Sequence, residues 1–244
     1  MGYLTNLFKN KFNFSKIPIN QIIKTNSIAN AYQDKNYIKI EKLLKKGKYY
    51  YKSIKFKENN DYSLLHQCIV DSNKEVIEII LNQSYTKEKD IIEDIDNELG
   101  FAPIHLACVK DDVELIKDLI AKGKSGIEIK TKTDNLNLLH ISAQFGSLKT
   151  FEYIYKNFYY KNIDTLSEEK WSPFHFATFM NKFDICSFLI DNRADLYLRN
   201  KQHLMPLEAA ILNDNFDLFY ALYNFHYKID ILNSYDHPEV NNFF

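Results

Sequence analysis

A five-residue motif recurs along this chain of 244 residues and fixes the period of its fold. Four copies end in His, and we call this last residue the motif residue: Tyr62-Ser-Leu-Leu-His66, Phe101-Ala-Pro-Ile-His105, Leu136-Asn-Leu-Leu-His140 and Trp171-Ser-Pro-Phe-His175. A fifth copy, Leu204-Met-Pro-Leu-Glu208, has Glu instead, and successive motif residues lie 39, 35, 35 and 33 residues apart. A period of this length is typical of a solenoid, in which each unit buries its apolar face only against its neighbours.

The motif resembles the signature of the ankyrin repeat, Thr-Pro-Leu-His-x-Ala, whose period is about 33 residues. The best matches are Ala102-Pro-Ile-His-Leu-Ala107 and Ser172-Pro-Phe-His-Phe-Ala177. The resemblance implies an all-α fold: an ankyrin-repeat solenoid of stacked helix–turn–helix units joined by finger-like β-turns.

The residues that follow each motif fit the same template. A small residue stands two positions after the motif residue, where it would let two helices approach closely: Cys68, Ala107, Ser142, Ala177 and Ala210. Apolar pairs ten and eleven positions after it, and again fourteen and fifteen after it, predict the buried face of a second helix. Val76–Ile77 and Ile80–Leu81 form one such set, and Gly123, eighteen after its motif residue, is predicted to close a second helix.

The template predicts an ankyrin-repeat domain over residues 27–227, with about six repeats near 27–58, 59–95, 96–131, 132–166, 167–199 and 200–227. The first repeat is degenerate: Leu43–Leu44 and Gly47 are in register, but Lys residues dominate its second helix. Residues 1–26, which contain Lys but no acid, are predicted to form a basic N-terminal arm, and residues 228–244 a C-terminal tail.

The position five before each motif residue needs a turn residue that tolerates a positive φ. Asp61, Gly100 and Asn135 are suitable there, whereas Lys170 and His203 are poorer choices. We therefore expect the last two finger turns to deviate from the geometry of the others.

The column of motif His residues invites a catalytic or metal-binding interpretation, which its spacing opposes. Stacked repeats would hold these side chains about 8–10 Å apart, whereas metal ligands converge within about 2 Å of one ion. In ankyrin repeats this His typically hydrogen-bonds within and between the turns. Cys68, Cys108 and Cys186 form no zinc or disulfide pattern and are predicted to lie in the core.

No other motif indicates catalysis. The sequence has no Gly-rich phosphate loop, no nucleophile elbow and no H-E-x-x-H motif. A run of acids is predicted to form a solvated loop available to a basic partner: Asp90, Glu93, Asp94, Asp96 and Glu98. We therefore expect no enzymatic activity, no cofactor and no metal site.

Charge and cysteine usage narrow the class of partner and the compartment. With 31 Lys+Arg against 32 Asp+Glu, the chain lacks the basic excess of a nucleic-acid-binding protein. No apolar run approaches the ~18 residues that span a bilayer, so no transmembrane segment is expected. The few, widely spaced Cys residues favour a reducing compartment, the cytoplasm, although the basic, acid-free N-terminus leaves an organelle such as the mitochondrion as an alternative.

The resemblance also implies where a partner would bind. In designed ankyrin binders, the variable contact positions lie four before and four and five after the motif residue, on the concave face of fingers and first helices. The position four before is apolar in all five copies. An apolar ribbon of this kind marks an interaction surface, whose predicted contacts are Tyr62, Phe101, Leu136, Phe145, Trp171, Phe179, Met180, Leu204 and Leu212. The alternative is that the large residues four before the motif residue pack against the adjacent finger.

The predicted function is a non-catalytic scaffold or adaptor that binds another protein, through a helical or extended apolar segment of that protein. A constitutive structural subunit of a larger assembly is the first alternative, because aromatic residues also cluster outside the concave face, as over residues 216–227. A regulatory subunit of an enzyme is the second. The oligomeric state and the partner are not indicated by the sequence.

Overall fold

The computed structural model describes residues 27–45, 55–56, 62–82, 95, 100–122, 126–159 and 162–224. The predicted N-terminal arm and C-terminal tail, Gly47, Gly123 and the acidic run between residues 90 and 98 lie outside these ranges.

The described residues form six pairs of antiparallel helices. The first three pairs are α1 (Ser27–Gln33) with α2 (Tyr37–Lys45), α3 (Leu64–Val70) with α4 (Lys74–Leu81), and α5 (Pro103–Val109) with α6 (Val113–Lys122). The last three are α7 (Leu138–Phe145) with α8 (Leu148–Ile154), α9 (Pro173–Phe179) with α10 (Phe183–Asp191), and α11 (Pro206–Ile211) with α12 (216–224).

The pairs stack into two layers of helices. From α3 to α11, each first helix packs against the first helix of the next pair, and second helices such as α8 and α10 pack beside each other in the outer layer. The small residues two positions after the motif residue are fully buried between the first helices, from Cys68 to Ala210. This is the all-α ankyrin solenoid that the repeat predicts, and the close approach of helices at small residues is its packing device.

Three of the first helices begin at a side-chain cap that the motif itself supplies. Ser63, Asn137 and Ser172 precede their helices, and each side-chain oxygen accepts a hydrogen bond from the backbone N–H of the motif His. Where Pro follows the cap, as at Pro103 and Pro173, its fixed φ suits the first helical position and its missing N–H costs nothing.

The turn inside every described helix pair uses a left-handed residue, which stands six positions after the motif residue in the five pairs that have the motif. Its φ lies between 53° and 76° in all six pairs, at Lys35, Ser72, Asp111, Gly146, Asn181 and Asp214. Neighbouring turns are joined: the Asn215 Nδ2 group donates to the carbonyls of Thr178 at 3.0 Å and Phe179 at 2.7 Å. We call this edge of the stack, where the first helix ends and the second begins, the turn end.

The fourth pair ends differently from the others. α8 continues into a π-helical turn over Tyr155–Tyr159. The Tyr155 ring meets the Phe188 ring of the next pair edge-on at 5.7 Å, and the Tyr159 hydroxyl donates to the Ile127 carbonyl at 3.2 Å. The aromatic residues that interrupt the repeat pattern here thus join the fourth pair to its neighbours on both sides.

Fingers connect one pair to the next at the opposite edge of the stack. Between the first two pairs, β1 (Lys55–Phe56) pairs with β2 (Tyr62–Ser63) in antiparallel register, Phe56 opposite Tyr62. Further along, the Glu168 N–H donates to the Asp134 carbonyl at 3.2 Å, and the Lys201 N–H to the Glu169 carbonyl at 3.1 Å. Adjacent fingers are therefore linked through their backbones.

The finger turns share one backbone conformation five residues before the motif residue. The φ angle is 66° at Gly100, 56° at Asn135, 56° at Lys170 and 62° at His203. The expectation that Lys170 and His203 distort their fingers is therefore wrong. The backbone bonds across each turn and between fingers outweigh the steric cost of about 1–2 kcal/mol that a Cβ adds in this region.

We predict that Lys170→Gly stabilises the protein by about 0.5–1 kcal/mol, because it removes that steric cost and adds a smaller entropy cost. The substitution removes the exposed Lys170 side chain and keeps the hydrogen bond from the backbone N–H of residue 170 to the Ser167 carbonyl. Urea denaturation measures the change. Lys149→Gly, at an exposed position inside α8, is the matched control and should destabilise by up to about 1 kcal/mol. Equal destabilisation by both variants would contradict the assignment of strain to Lys170.

Candidate functional site

The four motif His residues are buried, and His140 and His175 are hydrogen-bonded to backbone on both ring nitrogens. Nδ1 of His105, His140 and His175 accepts from the N–H of the residue before each helix, at 2.9, 3.2 and 3.2 Å. Nδ1 therefore carries no proton, and Nε2 is the donor. Nε2 of His66 donates to the Phe101 carbonyl and Nε2 of His140 to the Thr165 carbonyl, both at 2.9 Å and both in the next finger. The His column thus joins successive repeats, as the resemblance implies.

Burial favours the neutral imidazole at His105, His140 and His175. It lowers the pKa of His105 to about 3 and that of His140 to about 4, while the hydrogen bond from His140 to the Thr165 carbonyl acts in the opposite direction. The pKa of His175 is lowered for the same reason. Groups with such values, fixed between backbone partners, are structural donors rather than general bases.

The three cysteines are also part of the core. Cys68, Cys108 and Cys186 are free and buried, and burial raises the pKa of each thiol, which suppresses the reactive thiolate. Within the described ranges, no three His, Cys, Asp or Glu side chains are grouped so that they could hold a metal ion. No helix in the same ranges is both long enough and apolar enough to cross a membrane.

Five of the nine predicted partner contacts are inside the protein. Tyr62, Phe101, Leu136, Trp171 and Phe179 are at most 2% exposed, so the expectation that they face an open concave groove is wrong. Aromatic residues four before the motif residue lie against the motif His: the ring centroids of Tyr62 and His66 are 5.5 Å apart. Trp171 lies 5.8 Å from His175 and meets Phe179 edge-on at 5.4 Å. These large side chains fill the space between a finger and its first helix.

The other four predicted contacts are half-buried, and three of them lie together. Phe145 is the last residue of α7, Met180 directly follows α9, and Leu212 directly follows α11, so all three are at the turn end of the last three pairs. Leu204 is instead in the last finger, at the opposite edge.

Two exposed aromatic residues extend this group. Phe183 begins α10 and is 55% exposed, and Phe216 begins α12 and is 50% exposed. The turns that carry them touch, because the Asn213 Nδ2 group donates to the Phe179 carbonyl at 2.8 Å. We define the turn-end surface as Phe145, Met180, Phe183, Leu212 and Phe216.

The repeat template does not predict Phe183 as a contact, and it assigns Phe216 to a separate aromatic region. The sequence contained one signal: the residue eight after the motif residue is Phe in both of the last two repeats, whereas the earlier repeats have Lys74, Val113 and Leu148 there. The position five after the motif residue is charged in the second and third pairs, at Asp71 and Lys110, and apolar only in the fourth and fifth, at Phe145 and Met180.

A two-layer stack of helix pairs, with fingers at one edge and a His column that joins the repeats, defines an ankyrin-repeat solenoid. The sequence profile of the family described as ankyrin repeats (3 copies) matches residues 65–165 and 139–234, which together are more than half of the chain. The chain belongs to the ankyrin repeat family. Ankyrin repeats are generally protein–protein interaction modules.

Two curated relatives are similar over more than half of the chain. The transient receptor potential cation channel subfamily A member 1 of Drosophila melanogaster is 24% identical over 159 residues, 62% of this chain and 13% of the relative. The nuclear factor NF-kappa-B p105 subunit of Gallus gallus is 23% identical over 168 residues, 64% of this chain and 17% of the relative. The chain spans less than a fifth of the length of either protein.

The buried His residues predict an acid-sensitive fold. Because the pKa values are lower in the folded than in the unfolded chain, the unfolded chain binds more protons below pH ~6.5, and stability is lost as the pH falls from there towards the folded pKa values. Between about pH 7 and pH 5, His105 and His140 should each remove about 2 kcal/mol from the free energy of unfolding. Urea denaturation across this range measures the loss.

His140→Gln is the control for this effect, since an amide can accept from one partner and donate to the other without titrating. The variant should show a smaller loss of stability over the same range of pH. A free energy of unfolding in the original protein that does not change with pH would contradict the neutral, buried state of these side chains.

The burial of Phe179 predicts a core residue. Phe179→Ala should destabilise the protein by about 3–5 kcal/mol, because it leaves a cavity beside Trp171. Phe183→Ala, four residues further on and exposed, should change stability by about 0.5 kcal/mol or less. Chemical denaturation of both variants measures the two changes in the free energy of unfolding. Similar changes would contradict the difference in burial between Phe179 and Phe183.

Proposed function

We propose that the protein is a non-catalytic scaffold or adaptor that binds a helical or extended apolar segment of another protein through the turn-end surface. The observation that carries the proposal is the exposure of Phe183 and Phe216 beside the half-buried Phe145, Met180 and Leu212 on one edge of the stack. Aromatic and Met side chains are enriched at interface cores, where Phe gives large contact area and Met an adaptable one.

The repeat spacing suggests the form of the ligand. Successive helix pairs in such a stack are about 8–10 Å apart, so their turn-end side chains are separated by about that distance. An α-helix rises about 10.5 Å in seven residues, and a strand about 10 Å in three. A helix with apolar residues seven apart, or an extended segment with apolar residues three apart, would therefore place one side chain against each of the last three pairs.

The absence of catalysis is part of the proposal, and it is supported by the state of the reactive side chains. Burial lowers the pKa of His105 and His140 and favours their neutral forms, and it raises the pKa of the buried Cys residues, which favours the thiol. Three free, buried cysteines also agree with the reducing compartment, the cytoplasm, that we propose.

A constitutive subunit of a larger assembly is the second candidate. Tyr220 and Tyr223, on α12, are 61% and 50% exposed and enlarge the apolar area beyond the turn-end surface. Large apolar areas are typical of obligate interfaces. Size-exclusion chromatography with light scattering on the native protein distinguishes the two: a constant stoichiometric complex favours the subunit, and a free chain that gains a partner favours the adaptor.

The test of the proposed surface is site-specific photo-crosslinking in cells that express the full chain. A photoreactive residue at position 180 should give one discrete cross-linked product, whereas the same residue at position 187, exposed on the outer helix α10, should not. With the captured partner purified, Met180→Asp should weaken binding at least about tenfold, as expected for a residue in an interface core. Ser187→Asp is the matched control.

Two results would contradict the proposal. One is equal cross-linking from both positions. The other is unchanged affinity of the Met180→Asp variant at a melting temperature equal to that of the original protein.

A further inference from the structure

One lysine at the turn end differs from all the others. Lys182 directly precedes Phe183 and is half-buried, whereas every other lysine whose burial the structure describes is exposed. Among the described residues, the cations that form ion pairs are Lys45, Lys117, Lys156, Arg199 and Lys201, and Lys182 is not one of them. A charge held partly out of water without a counter-ion costs free energy.

The alkyl chain of Lys182 lies across the turn of the neighbouring pair. A Cβ atom placed on Gly146 would stand 2.8 Å from Lys182 Cδ and 3.3 Å from its Cε, closer than side chains pack. The lysine stem therefore occupies the space that any larger residue at position 146 would need. Gly146 directly follows Phe145, so the stem runs between two residues of the turn-end surface, Phe145 and Phe183.

The glycine at position 146 is needed for this space rather than for its backbone conformation. The equivalent turn residue is left-handed in the other five described pairs without being glycine, as at Ser72 and Asn181, both with φ of 56°. A positive φ is therefore compatible with a side chain in this turn. Gly146 and Lys182 form one feature, in which the glycine makes room for the lysine.

Lys182 also stands at a position where other pairs have a capping residue. It directly precedes α10 and makes no side-chain hydrogen bond to that helix. In the second pair, Asn73 caps α4 by accepting from the Val76 N–H at 3.2 Å. A lysine cannot accept a hydrogen bond, and its positive charge is unfavourable at the positive end of the helix dipole. The chain thus loses stability at residue 182, as proteins do at functional sites.

The charges of the turn end locate the place where an acidic group would be attracted. We counted them over the five residues from five to nine after the motif residue. The fourth pair has one cation there, Lys149, and the fifth has Lys182 with Asp184. The third pair has three acids and one Lys, and the sixth has two acids and no cation. A carboxylate is therefore favoured at the boundary of the fourth and fifth pairs and disfavoured on either side.

We propose that Lys182 binds a carboxylate of the partner, so that the bound segment carries an Asp or Glu between an apolar residue against Phe145 and another against Phe183. This inference rests on the proposed function of the turn-end surface and names the chemistry of its ligand. The flanking apolar contacts exclude water from the ion pair, which strengthens it. The packed stem reduces the side-chain entropy that Lys182 loses on binding.

Peptide selection on the immobilised full chain tests the proposal, with a phage-displayed library of random peptides as the probe. Peptides whose capture is lost in Met180→Asp bind the turn-end surface. We expect them to share an Asp or Glu flanked by apolar residues. Lys182→Glu reverses the charge and should select Lys or Arg at that position instead. Lys170→Glu, in a finger at the opposite edge, is the matched control and should select the same acidic peptides as the original protein.

The affinity of one selected peptide gives an independent result. Lys182→Asn should weaken its binding about tenfold, as expected when a hydrogen bond to a charged group is lost. The melting temperature should not fall, because Asn at this position can cap α10 as Asn73 caps α4. Gly146→Asn keeps a left-handed turn residue like Asn181 but displaces the lysine stem, so it should weaken binding as well. Lys170→Asn should leave the affinity unchanged.

The inference and the proposed function fail in different ways. Peptides that depend on Met180 but share no acidic residue, or an affinity that Lys182→Asn does not change, would overturn the carboxylate contact alone. If no selected peptide depends on Met180, the turn-end surface is not the binding site, and both proposals are overturned.

Discussion

The structure depends on the contact between first helices of successive pairs. A helix pair alone cannot bury its apolar face, so each pair is stable only against its neighbours. The contact is made close by a small residue such as Ala107 or Ser142 at the centre of each first helix. The motif His then joins the helix start to the next finger through backbone atoms on both sides. Packing and hydrogen bonding thus fix the same relation between neighbouring repeats.

This arrangement determines which residues remain for recognition. Large aromatic side chains, including Trp171, are buried in the space between fingers and first helices, where a partner cannot reach them. Exposed apolar side chains in the described residues include Phe183 and Phe216 at the turn end and Ile211 in the last helix pair. Recognition in this protein is therefore proposed at edges rather than along the concave centre.

The fold could be predicted from the sequence because its determinants are periodic. Three features recur at fixed offsets: the motif His, the small residue after it and the apolar pairs of the second helix. A pattern seen in one repeat can therefore be checked in the next. The candidate site could be predicted only in part. An apolar residue such as Trp171 looks the same in the sequence whether it contacts a partner or packs within its own repeat. Only its burial in the structure distinguishes the two roles. The prediction of a distorted finger at Lys170 was wrong for a related reason. Hydrogen bonds within and between the fingers override the local preference of a Lys residue for a negative φ.

The left-handed turn residues have a consequence for how this chain can change. Among the described residues, nine non-glycine residues have a positive φ, at the inner turns, the finger turns and one helix end. Several, including Lys35 and Lys170, are exposed, so their identity adjusts the strain of one turn without altering the helix contacts or the apolar edges. Substitutions among Gly, Asn and other residues at these sites change the free energy of unfolding in small steps. Such changes leave the surfaces that face other molecules as they are, so the stability of the protein can evolve separately from its binding.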